Sequence, residues 1–163
     1  MRTFRRFLSL VGFSLGSAVF AADAVVGHAR LPVPDGWSVV ERTGDRVTLR
    51  NESKTQSITF SSLTFGAAPS IEDFKILCRH RIEAERKGDP EVFIEEGKPA
   101  QSGDSLVFYY SGGEKQTGRI FSGQLLLVGR ELTTTYLESS GTDPKRHLTL
   151  FSELVGSLKV SAK

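Results

Sequence analysis

Cysteine is almost absent: Cys78 is the only one in 163 residues. An internal disulfide is therefore excluded, and in an oxidising compartment the fold must be held by packing alone. Histidine is scarce too. His28, His80 and His147 lie far apart with no His-x-His or His-Glu-x-x-His spacing, so a converging zinc ligand set is not expected. Neither sign of charge is in excess, with 21 Lys and Arg against 19 Asp and Glu. That balance gives no global electrostatic case for nucleic acid or for an anionic membrane surface. Long hydrophobic runs are missing beyond the N-terminus, and the run there, Phe7 to Phe20, falls short of the ~20 residues a spanning helix needs. No repeat, heptad or low-complexity tract is visible.

What the N-terminus does have is the layout of a secretory leader: Arg2, Arg5 and Arg6, then the apolar run, then small residues. Small residues at −3 and −1 fit Val19-Phe20-Ala21 and Ala22-Asp23-Ala24, so cleavage is expected after Ala21 or Ala24. Phe4 before the arginine pair and Phe7 directly after it depart from the twin-arginine pattern, which favours the general secretory route. No cysteine stands near either point, so a lipid anchor is not expected. A cut after Ala24 removes three basic residues and one acidic one, leaving 18 of each. The expected address is the periplasm or the exterior, without stable membrane insertion.

Residues 25–36 then read as an extended arm, because Pro32 and Pro34 fix their own φ and push the residues before them away from helix. Asp35-Gly36 turns the chain and Trp37 anchors the edge of the core. Residues 37–163 read as a single domain. WSVVER and RVTLRN form a hairpin across Thr43-Gly44-Asp45. In TQSITFSSLTF, Ile58 and Phe60 have one parity and Leu63 and Phe65 the other, so a bulge at Ser61-Ser62 is expected.

A helix is expected from Ile71 to about Lys87. Ser70 caps it with Asp73 three residues on, Gly88 closes it, and Ile71, Phe74, Cys78 and Ile82 share a face, with His80 opposite. EVFIEE, SLVFYYS, TGRIFSGQLLLV and ELTTTYLES read as strands, with a turn at Gly112-Gly113-Glu114-Lys115. Leu125 to Val128, apolar on both parities, fits a central strand covered on both faces. Asp143 and Pro144 open a second helix carrying Leu148, Phe151 and Val155, Gly156 ends it, and SLKV is a short last strand. Strands that mostly follow one another, with two helices, give an α+β class: a largely antiparallel twisted sheet of about six to eight strands with two packed helices.

Chemical motifs are thin. Gly12-Phe13-Ser14-Leu15-Gly16 matches a hydrolase nucleophile pattern but lies in the leader with no preceding strand. Gly118 to Gly123 has phosphate-loop spacing, yet Gln124 stands where Lys is needed and the setting is mid-strand. Asn51-Glu52-Ser53 is a formal glycosylation sequon. Cys78, mid-stripe between Phe74 and Ile82, reads as a buried small hydrophobe rather than a nucleophile. Glu95 and Glu96 point to opposite faces of a strand and make no catalytic pair with each other.

The order of these elements, with Pro34, Gly36 and Trp37 leading into the first hairpin and Phe151, Leu154, Val155, Ser157, Leu158 and Val160 closing the chain, resembles the PsbP/Mog-type fold family over about residues 31–160. That resemblance implies a binding scaffold with no catalytic residues and no cofactor. The family spans photosystem accessory proteins, a Ran-binding nuclear factor, bacterial envelope proteins of the DcrB and LpqN kind, and periplasmic immunity proteins that block type VI secretion effectors. Many envelope members are lipid-anchored, and the missing lipobox departs from them.

The expected function is therefore an exported, non-enzymatic protein-binding module, specifically a periplasmic immunity protein that blocks a secreted toxin. Its candidate contacts are the loops Gly112, Gly113, Glu114 and Lys115, and Ser139, Ser140, Gly141, Thr142 and Asp143, since loops carry function more often than strands. The alternative is a small-ligand carrier or envelope maintenance factor, with a groove bordered by Tyr109, Tyr110 and Tyr136.

Overall fold

A computed structural model describes residues 21–88 and 91–161. The charged and apolar parts of the expected leader lie outside the described residues. Five strands come first: β1 (Ala21–Val26), β2 (Ala29–Val33), β3 (Trp37–Arg42), β4 (Arg46–Asn51) and β5 (Gln56–Thr64). Helix α1 (Ile71–Gly88) precedes β6 (Phe93–Glu96), β7 (Ala100–Ser102), β8 (Ser105–Glu114), β9 (Arg119–Val128) and β10 (Glu131–Ser140). Helix α2 (Pro144–Ser157) and β11 (Lys159–Val160) follow. The class is α+β. An eight-stranded antiparallel sheet runs β3-β4-β5-β10-β9-β8-β6, with β7 paired to β8 off that path.

Each face of this sheet has its own core. On one face Val47, Leu49, Ile58, Phe60 and Leu137 pack against Phe151 and Leu154 of α2 and against β1 and β2. On the other, Phe108, Tyr110, Phe121, Leu125, Leu127 and Leu132 meet Phe74, Cys78 and Ile82 of α1. Two covered faces explain why β5 needs no bulge. Its register with β10 is continuous from Gln56–Ser139 to Thr64–Glu131, so Phe60 serves the first core while Phe65 packs against the second. The irregularity falls in β3 instead, between Val39 and Glu41.

The N-terminal arm is a further correction. β2 pairs with both β1 and β11 in a three-stranded sheet, and Ala24, Val26, Ala29, Leu31 and Val33 are buried in the first core. Pro32 is tolerated there because the β1–β2 register shifts between Ala21 and Ala24, and β11 pairs only with Ala29 and Arg30. The prolines make the segment extended, and alternating apolar residues make it a core strand.

Both helices start where their caps place them. Ser70 Oγ accepts the Asp73 N–H at 3.2 Å while Asp73 Oδ2 accepts the Ser70 N–H at 2.9 Å. Asp143 Oδ1 accepts the Arg146 N–H at 3.1 Å, with Pro144 opening α2. Helix α2, however, buries His147, Phe151 and Leu154 and leaves Leu148 half exposed. Ile71 of α1 is likewise exposed rather than buried.

Candidate functional site

The rotation of α2 creates the feature of interest. On the α2 side of the sheet, cross-strand neighbours Ser111 and Ser122, and then Gly113 opposite Ile120, leave little side-chain bulk along β8. With little bulk there, the floor lies low. Phe93 of β6 rises on one side and Leu148 and Pro144 of α2 on the other, enclosing an open trough of about 470 Å³. A neighbouring depression of about 780 Å³, reaching Glu95, Tyr109 and Val155, shares Ser111, Ser122 and Leu148 with it. Phe93 is 65% exposed and Leu148 52%, so the two apolar walls stand in solvent.

The two loop groups expected from sequence flank this one trough, because Gly113 and Ser139 both sit opposite Ile120 in the register. Their details differ from expectation. Gly112, Gly113 and Glu114 belong to β8, and the turn is displaced to Lys115–Gly118, where Gly118 has φ +66°. Gly112 is a glycine for close approach: a Cβ there would run into the Phe93 carbonyl oxygen and the Phe121 ring. Ser139 is buried and cannot touch a partner, whereas Ser140, Gly141 and Asp143 are exposed. Glu114 is engaged with Arg119 and Thr117, and these bonds, the Thr117 hydroxyl first, hold its carboxyl below the usual range. Lys115 remains at the mouth of the trough.

Of the three tyrosines, Tyr109 and Tyr110 line the depression beside the trough and Tyr136 lies away from it. Adjacent strand residues face opposite ways, so Tyr109 looks toward α2, its hydroxyl accepting from Gln124 Nε2 at 2.9 Å. Tyr110 and Tyr136 pack on the α1 side. There Arg81 Nε donates to the Tyr110 hydroxyl at 2.6 Å and Arg119 Nη2 to the Tyr136 hydroxyl at 2.7 Å. Arg119 also binds Glu138 at 2.9 Å and Glu114 at 2.5 Å, and Arg81 binds Glu85 at 2.5 Å. Burial pushes the Tyr110 hydroxyl up to about 12 and raises Tyr136 as well. This knot ties α1 to β8, β9 and β10 with its charges paired, a structural arrangement rather than a reactive one. Sequence reading missed it because its members lie tens of residues apart; only the Arg81–Glu85 spacing was a visible signal.

Beneath the trough, His147 Nδ1 lies 2.8 Å from Ser139 Oγ and Nε2 lies 3.0 Å from Ser122 Oγ. Gln56 Nε2 also donates to Ser139 Oγ at 3.1 Å, so the imidazole lies between two hydroxyls that can each donate or accept. A nucleophile activation relay needs a carboxylate on the second ring nitrogen, and here both ring nitrogens meet serine hydroxyls instead. Burial also lowers the His147 pKa, holding the ring neutral. Cys78 is buried in the second core, and desolvation raises its thiol to about 12. Among the described residues no group of three or more His, Cys, Asp or Glu could hold a metal ion.

Neither family models nor curated proteins match the chain. Solved structures do. The solution structure of cyanobacterial PsbP (CyanoP) from Synechocystis sp. PCC 6803 superposes with a TM-score of 0.67 over 93% of this chain and 99% of that one. The fold is PsbP-like. At 13% identity the likeness extends to the fold and no further. A Bacteroides thetaiotaomicron VPI-5482 crystal structure also matches, at 12% identity and a TM-score of 0.48, over 83% of this chain and 46% of that one. Among the described residues of this PsbP-like chain, no helix is long and apolar enough to cross a membrane.

Proposed function

We propose that the protein is an exported, non-enzymatic binding module that docks a second exported protein in the trough between α2 and the β6–β8–β9 part of the sheet. The observation that carries this reading is the pair Phe93 and Leu148, large apolar side chains held in solvent on facing walls. Covering what remains exposed of these two side chains is worth roughly 1–2 kcal/mol each, and clustered exposed apolar groups mark interaction sites. The trough is open, so it suits an anchoring strip of protein surface better than a small molecule, which a pocket usually buries by roughly 70–90%. A standard interface covers about 800 Å² per partner, so a partner seated in the trough would also reach the Lys115–Gly118 and Gly141–Asp143 turns beside it.

The non-enzymatic part is supported by the Ser122–His147–Ser139 chain, which is closed to solvent and lacks an orienting carboxylate. The leader-like N-terminus supports the export part. Within this reading, the specific role is a periplasmic immunity protein that occludes a secreted toxin, supported by the same address and by the family resemblance. The test compares proteins recovered from periplasmic extract with the wild-type chain and with Leu148→Asp. A specific protein retained by the first and lost by the second is expected. An identical retained set for both chains contradicts the reading.

A further inference from the structure

The two expected leader cleavage points fall at either end of one segment of β1, and the fold treats them differently. Ala24 is fully buried in the first core and pairs with Leu31 across the β1–β2 ladder. Val26, two residues on, is buried in the same core. The hairpin is latched at its tip as well. His28 donates its backbone N–H to Glu131 Oε1 at 2.8 Å, and that oxygen also accepts from Ser62 Oγ at 2.6 Å. Gly27, at φ +57°, lies so close that a Cβ would run into the same carboxylate oxygen.

A cut after Ala24 would take four of the six residues of β1, Ala24 included. It would also vacate the place that Ala24 fills in the first core. A cut after Ala21 falls where the β1–β2 register is already irregular and keeps every regular pair from Ala24 to Val26. The small side chain of Ala24, which makes Ala22-Asp23-Ala24 resemble a peptidase site, is accounted for by its place in the core.

We propose that the leader is removed after Ala21, so that the mature protein begins at Ala22. A leader peptidase reading Val19 and Ala21 hydrolyses the Ala21–Ala22 peptide bond. Water supplies the hydroxyl to the Ala21 carbonyl carbon and a proton to the Ala22 nitrogen. The proposal rests on the export reading above, and its test separates the two.

The full chain is expressed with its own leader in a Gram-negative host, recovered from osmotic-shock fluid, and its N-terminus read by sequencing and intact mass. Ala22 is the expected first residue. A chain beginning at Val25 overturns the proposal and leaves export standing, whereas a chain still carrying Met1 and found only with the cells overturns both. As a second measurement, chains beginning at Ala22 and at Val25 are purified and melted. The shorter chain is expected to melt at least about 5 °C lower. Equal melting temperatures overturn the packing argument.

Discussion

His147 Nε2 sits 3.0 Å from Ser122 Oγ, and this contact fastens helix α2 to strand β9. Both residues are buried, at 2% and 1% exposure, and the ring is held neutral by desolvation. A histidine whose folded pKa is below its unfolded value of about 6.5 adds nothing above that pH; below it the unfolded chain takes up a proton that the folded chain refuses. Stability should therefore be flat above about pH 7 and decline as the pH falls through about 6.5. His147→Asn should flatten this decline while lowering stability at neutral pH by about 1–3 kcal/mol, read from urea melts at several pH values.

Arg119 reaches Glu114, Glu138 and the Tyr136 hydroxyl from one guanidinium. Arg119→Met leaves these carboxylates facing one another and should cost about 2 kcal/mol, a figure already reduced for the partial exposure of the group. Arg119→Lys keeps the charge but cannot span three partners, and should recover less than half of that loss. Chemical denaturation of the three chains checks both statements.

Gly123 and Gly156 should respond in opposite directions to alanine. A Cβ on Gly123 would lie within the Tyr110 ring, its cross-strand neighbour, whereas nothing lies within 4 Å of a Cβ on Gly156 in the exposed part of α2. Gly123→Ala should destabilise by at least about 2 kcal/mol through overpacking. Gly156→Ala should stabilise by roughly 0.5–1 kcal/mol through helix propensity. Paired melting curves decide it.

Cys78 should be silent toward thiol reagents in the native protein. It is 3% exposed and its thiol is raised to about 12, so almost no thiolate is present at neutral pH. Labelling should become fast and stoichiometric only when denaturant opens the second core. Rapid native labelling would place Cys78 outside that core.

Local signals carried most of the architecture. The Ser70–Asp73 box, Asp143-Pro144 and the period-two strands placed the elements because each is written within a few neighbouring residues. The N-terminal hairpin was hidden because Pro32 argues against an inner strand, and only the register shift opposite it and the short reach of β11 make it tolerable. The trough was hidden for a related reason. Hydropathy places Leu148 inward, but His147 finds two hydroxyl partners on strands β9 and β10, and those bonds turn the helix so that the leucine stands outside. Sequence alone cannot weigh a satisfied buried imidazole against a leucine one position away.

That the trough beside Leu148 is the docking surface is tested most directly by photocrosslinking in the exported protein. A benzophenone side chain is placed at Leu148, at Phe93, or as a control at Glu83 on the solvent side of α1. The expected result is one and the same protein adduct at Leu148 and Phe93 and none at Glu83. No adduct at either trough position, or the same adducts at all three, would contradict it.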